Sequence, residues 1–203
     1  MHDVGVVPLK PLLDPNPLRP RVCDWPALMA LCGHLVAIES SNLGPEIRQL
    51  SDDEMARVED GVAELLGLRY LCQKPPLLPP SPAGAAAYPR WGEVYYAGPA
   101  VDNQTKRHVV VSNDYWNSTA GNGVAVRTTS QLKRAGLSFP AIENGAAVAC
   151  CGDATSFVHA DFDLVGRPEP PRLALDDMSR IAWGLVETHQ LESAVSRLGL
   201  DPT

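Results

Sequence analysis

Lys106 to Asn117 reads KRHVVVSNDYWN. Its centre, His108 to Ser112, is dominated by valine, and branching at Cβ suits an extended, pleated backbone. The same reading applies upstream to Gly92–Ala97 (GEVYYA) and downstream to Gly123–Val126 (GVAV) and Ala146–Cys151. Between these runs, the segments 98–106 and 113–122 are rich in Asn, Asp and Gly, so they are expected to be turns. Four short strands with tight connections predict a mostly antiparallel sheet that curls into a small barrel with a helix across it, a mainly β fold with α (α+β).

Two helices are legible from apolar spacing. Met55, Val58 and Val62 fall on one helical face, and so do Met178, Ile181 and Leu185. The first helix carries its own start signal, because Ser51 and Glu54 stand at the spacing of a capping box. Gly67 supplies a left-handed stop.

These helices belong to an internal repeat. Val4 to Leu9, then Leu31-Cys32-Gly33, then Leu50 to Met55 parallels Val124 to Val126, then Cys150-Cys151-Gly152, then Leu173 to Met178. Between the copies runs KPPLLPPSPAGAAAYP, from Lys74 to Pro89, whose prolines lack the amide donor that ladders need. The expected organisation is a partial copy over 1–73, a linker over 74–89 and a complete copy over 90–203.

Composition narrows the class. An apolar fraction of 45% with 20% charged residues provides a core and argues against disorder. Every apolar run is broken before the roughly 20 residues of a membrane span, and the start lacks the pattern of a secretory leader, so a cytoplasmic protein with no membrane contact is expected. The five cysteines (Cys23, Cys32, Cys72, Cys150, Cys151) show no zinc spacing and read as reduced structural thiols. His159, Asp161 and Asp163 have metal-ligand chemistry, yet a turn or solvated edge explains them as well, and no metal or cofactor is expected. A net charge of −7 weighs against a broad electrostatic grip on nucleic acid but leaves room for a few cations in one cleft.

The ordered set Gly92-Glu93-Val94, Lys106 to Asp114, Trp116-Asn117, Val124 to Ser130 and Phe139-Pro140 resembles the MazF/PemK toxin family over roughly Trp91 to Leu191. The first copy, especially Cys32 to Leu68, resembles the latter part of the same family. The resemblance implies a tandem pair of SH3-like barrels of the CcdB/MazF type, the first incomplete. Lys10 stands there in place of a threonine, and the first two strands with their arginine are missing.

What the resemblance further implies is a toxin-antitoxin endoribonuclease that cuts single-stranded RNA without a metal, the ribose 2′-hydroxyl attacking the adjacent phosphate. It implies an antitoxin as partner, and either a homodimer or a pseudo-dimer within one chain. Arg107 and Thr129 would be catalytic, the guanidinium gripping the phosphate by two parallel hydrogen bonds and the hydroxyl assisting. Lys106, His108, Asn117 and Ser130 would bind substrate. His108 stands where the family has proline, and strand alternation favours placing it on the face opposite Arg107. Tyr95, Tyr96, Tyr115 and Trp116 are available to stack on bases or to fill the core.

Two other readings fit. A catalytically silent module of the same fold, holding a peptide or a partner subunit, agrees with the acidic charge and with Lys10. An unrelated barrel used structurally needs none of these side chains. The nuclease reading requires that Arg107 and Thr129 meet in one open hollow.

Overall fold

The computed structural model describes residues 3–7, 9–11, 21–24, 27–30, 32, 36–39, 45, 48–71, 88–97, 106–130, 136, 138–161 and 170–200. The predicted linker lies outside these except for its last two residues, as do the connection 98–105, Cys72 and Asp163.

The second half is built on an antiparallel sheet of β6 (Val94–Ala97), β7 (Lys106–Val110), β8 (Asn122–Thr129), β9 (Ala141–Ile142) and β10 (Ala147–Val158), in the order β6-β7-β8-β10-β9. Its fold is α+β, as the valine-rich runs predict. One connection differs from expectation. Asp114–Ala120, expected as a turn, is the helix α2. Asn113 caps it by accepting from the Trp116 amide, and Gly121 closes it at φ 71, so the polar residues read as turn formers are its two caps.

The first half contains β1 (Asp3–Val6), β2 (Leu9–Pro11), β3 (Arg21–Asp24), β4 (Ala27–Ala30), β5 (Val36–Glu39) and α1 (Asp52–Leu65). Its ladders repeat those of the second half at a constant shift of 119 residues. Asp3↔Glu39 recurs as Asn122↔Val158 and Val6↔Val36 as Ala125↔Thr155. Lys10↔Met29 recurs as Thr129↔Val148, and Cys23↔Leu28 as Ile142↔Ala147. Thus β1 and β2 together correspond to β8, and β4 and β5 to β10. The likeness extends to a packing detail: the Cys32 thiol donates to the Val58 carbonyl (3.7 Å), and the Cys151 thiol to the Ile181 carbonyl (3.6 Å).

α1 starts with the expected capping box, Ser51 accepting from the Glu54 amide and Glu54 from the Ser51 amide. Gly67 follows its end at φ 62, and a Cβ there would sit 3.0 Å from the Trp91 ring, so both backbone and space require glycine. α3 (Leu175–His189) packs on the sheet, and α4 (Glu192–Arg197) follows.

One hydrophobic core serves both halves. Val58, Val62, Leu65 and Leu66 from the first half join Val109, Val111, Val124, Val126 and Ala149 of the sheet and Met178, Ile181 and Leu185 of α3. Met55, expected on the same apolar face, instead remains 41% exposed. The junction is also hydrogen-bonded: Asn113 donates from its amide to the Leu65 carbonyl (2.7 Å) and from its side chain to the Glu64 carbonyl (2.5 Å). Both carbonyls lie in the last turn of α1, where helical partners run out, and that of Glu64 accepts from Gly67 as well. Arg197 of α4 bonds Asp60 and Glu59 of α1.

A shared core predicts shared unfolding. Leu65→Ala in the first half and Leu185→Ala in the second are each expected to cost about 2–5 kcal/mol and to move the same single transition in urea. Two separable transitions, each sensitive to one variant, would refute the shared core.

Candidate functional site at the end of the β7–β8 ladder

Strand register decides which of the predicted residues meet. His108 pairs with Arg127, Val109 with Val126 and Val110 with Ala125, and paired residues share a face. Val109 and Val126 point to the main core, whereas Val110 and Ala125 belong to a small cluster on the other face, with Tyr95 and Phe157. Continuing the register sets Arg107 across from Thr128, and the Thr128 hydroxyl donates to the Arg107 carbonyl (3.3 Å). Arg107 is therefore on the core side. Thr129, one residue further, is on the opposite face, across from Lys106.

The predicted pair Arg107 and Thr129 is thus divided by the sheet, because Arg107 pairs with Thr128 and the next residue of β8 points to the other face, so the meeting in one hollow expected of them does not occur. The residues gathered on Thr129's face are Lys106 and Arg127, and Ser130 follows just past the end of the strand. Lys106 and Ser130 are exposed and Thr129 is partly buried. Arg127 is held by Asp153 at 2.6 Å. That end of the ladder is a solvent-reached strip with a cation and hydroxyl groups.

His108 occupies this face too, opposite Arg107 as alternation favours, but deeper. Its ring lies edge-on to Phe157 at 4.9 Å between centroids, and Nδ1 contacts the Lys106 carbonyl at 2.8 Å. Burial lowers its pKa against the opposing effect of that carbonyl, so the ring stays neutral around pH 7. Asn117, expected to bind substrate, is fully buried. It accepts from the Ser112 hydroxyl (2.5 Å) and donates to the Ser112 carbonyl (3.1 Å), and the Ser112 hydroxyl in turn accepts from the Val124 amide of β8 (2.8 Å).

Arg107 has a partner that sequence reasoning missed. Both its terminal nitrogens donate to the Glu143 carboxylate, Nη1 to Oε2 at 2.6 Å and Nη2 to Oε1. The pair raises the arginine's pKa and lowers that of the glutamate. Glu143 is placed by Asp177 of α3, which accepts from the Glu143 amide at 3.0 Å and itself receives Arg180. Thirty-six residues separate Arg107 from Glu143; no local pattern signals such a contact.

Of the predicted aromatics, Tyr96 and Tyr115 are exposed, while Tyr95 and Trp116 are buried. The Tyr95 hydroxyl donates to Glu93 at 2.7 Å, which leaves it in a structural role. Cys32, Cys150 and Cys151 are buried thiols outside any disulfide, and burial pushes Cys32 and Cys151 up to about 12, so both stay protonated. Among the described residues, no group of three or more His, Cys, Asp or Glu is placed to hold a metal ion, and no helix is long and apolar enough to cross a membrane.

No protein-family model matches the sequence, and no curated protein matches it significantly. Solved structures do resemble it. An endoribonuclease from a Mycobacterial species has a TM-score of 0.43 and 19% identity, covering 51% of this chain and 93% of its own. An endoribonuclease in complex with its cognate antitoxin, also Mycobacterial, has a TM-score of 0.43 and 19% identity, covering 57% and 99%. A MazE-MazF structure from Deinococcus radiodurans has 0.41 and 15%, covering 52% and 100%. The likeness is one of fold, over about half of this chain.

Stability should depend on pH through the histidines. Burial lowers His108, His159 and His189, so the unfolded chain binds protons first, and stability is lost as pH falls below the unfolded value of about 6.5. Asp114, raised by burial, opposes this as a single group. The urea midpoint is expected to be lower at pH 5.5 than at pH 7.5, and an equal or higher midpoint would show that these rings are not held neutral.

Proposed function

We propose that this chain is a toxin-type endoribonuclease of a toxin-antitoxin system, acting in the cytoplasm on single-stranded RNA without a metal. The supporting observation is that Lys106 and Thr129 share one face at the end of the β7–β8 ladder, where Lys106 is exposed. A phosphate entering there meets an ammonium, a point charge suited to the growing negative charge of a phosphorane. The Thr129 hydroxyl donates to a non-bridging oxygen. The 2′-hydroxyl gives its proton to solvent as its oxygen attacks phosphorus, the bond to the 5′-oxygen breaks and that oxygen takes a proton from solvent, and the products are a 2′,3′-cyclic phosphate and a 5′-hydroxyl end.

In this reading Lys106 takes the role that the family resemblance assigns to Arg107. The two halves are a partial copy over 1–73 and a complete copy over 90–203, joined by the linker 74–89. Their common core supports a pseudo-dimer made within one molecule rather than between two. An antitoxin peptide is the partner expected to cover the site.

A second reading, a catalytically silent module that binds such a peptide, is favoured by one observation: the arginine of the pattern is engaged by Glu143 and the whole chain is acidic.

The test is incubation of purified protein with a mixed single-stranded RNA in EDTA, followed by end mapping. Cleavage is expected to persist in EDTA and to fall about 100-fold or more in Thr129→Val and in Lys106→Ala. RNA left intact by the wild type would favour the silent module, and fragments that vanish only in Arg107→Ala would return catalysis to the core side of the sheet.

A further inference from the structure

Arg107 sits among groups that the cleavage reading leaves unused. Tyr96 pairs with it directly across the β6–β7 ladder and is 49% exposed, so the ring and the guanidinium lie side by side at the rim of the core face. The Arg107 side chain is itself 27% exposed. Thr128 tethers its backbone from the neighbouring strand. An exposed aromatic beside a fork of N–H donors matches a nucleotide, the ring stacking on a base and the fork taking the two free oxygens of a phosphodiester.

The fork already holds an anion of that shape. A carboxylate offers two oxygens in one plane, and Glu143 fills both donor positions. Its own backbone is held at φ 53, in the left-handed region that L side chains avoid, followed by Asn144 at φ 56 and Gly145 at φ 86. Asp177 fixes this turn from α3. The chain thus maintains an unfavourable local conformation that delivers a carboxylate to Arg107.

We infer that Tyr96 and Arg107 form a second nucleotide subsite, on the face of the sheet opposite Lys106 and Thr129, and that Glu143 occupies it in place of phosphate until single-stranded RNA displaces it. The inference rests on the RNA reading given above and adds to it an internal competitor. Lys106 and Arg107 are neighbours in β7 and emerge on opposite faces, so the two subsites adjoin at that strand's end. Binding is weakened by the glutamate, because the guanidinium must exchange one anion for another.

The experiment measures binding of a fluorescein-labelled single-stranded RNA of mixed sequence, by anisotropy in EDTA, with every protein in a Thr129→Val background. Glu143→Gln keeps the shape and removes the charge. Glu143→Gly removes the carboxylate and suits the positive φ, so at least one of the two retains the fold. Either is expected to tighten binding about tenfold, the scale of one charge-assisted hydrogen bond. Each is also expected to steepen the plot of log affinity against log salt by about 0.7, the increment for one more phosphate on a single strand. Adding Arg107→Ala or Tyr96→Ala should remove most of the gain.

A change in melting temperature alone, with affinity and salt slope unmoved, overturns the subsite and leaves Arg107 and Glu143 as a structural tie. The two proposals fail separately. Cleavage by the wild type with no effect of Glu143 variants sinks only the subsite. Tighter binding by those variants, with no cleavage by the wild type, sinks only the nuclease.

Discussion

The constraint on which this molecule depends is the register between β7 and β8. Because side chains alternate, a slip of one residue would exchange Val109 for Val110 in the core and carry every polar neighbour to the other side. The core fixes the choice: Val109, Val111, Val124 and Val126 are packed against α1 and α3, and roughly 25 cal/mol for each Å² of apolar surface holds them there. Lys106 faces with Thr129, and Arg107 with Thr128, as a consequence of how the valines are buried.

That dependence explains what sequence could and could not reveal. The valine run, the capping box at Ser51 and the left-handed Gly67 are local, and each is read correctly from neighbours a few residues apart. The polar run at Asn113 misleads because the same residues that favour turns also cap helices, and only packing of Trp116 into the core decides between them. The site is harder still. Arg107 is the residue that draws attention, yet its partner Glu143 lies on another element and its face is set by the pairing of two strands. A motif states which residues are near in sequence, not on which side of a sheet they emerge.

The repeat is clear in both sequence and ladder, and its two copies are unequal. Lys10 holds the register position of Thr129, and the helices of the two copies bury a carboxylate just before an aligned methionine, Glu54 before Met55 and Asp177 before Met178. Their partners have diverged. Glu54 is bound by Arg48 and pushed down to about 2, serving the helix it starts, whereas Asp177 reaches across to hold the turn of Glu143. Corresponding positions thus serve as a local cap in one half and a long-range brace in the other.

The thiol contacts that recur in the two halves have a different significance. Cys32 and Cys151 each donate to a carbonyl of the helix packed against them, Val58 of α1 and Ile181 of α3. The molecule therefore carries an internal control: any property of one cysteine pocket has a counterpart in the same chain, at the same temperature and in the same solvent, against which the effect of divergent neighbours is read directly.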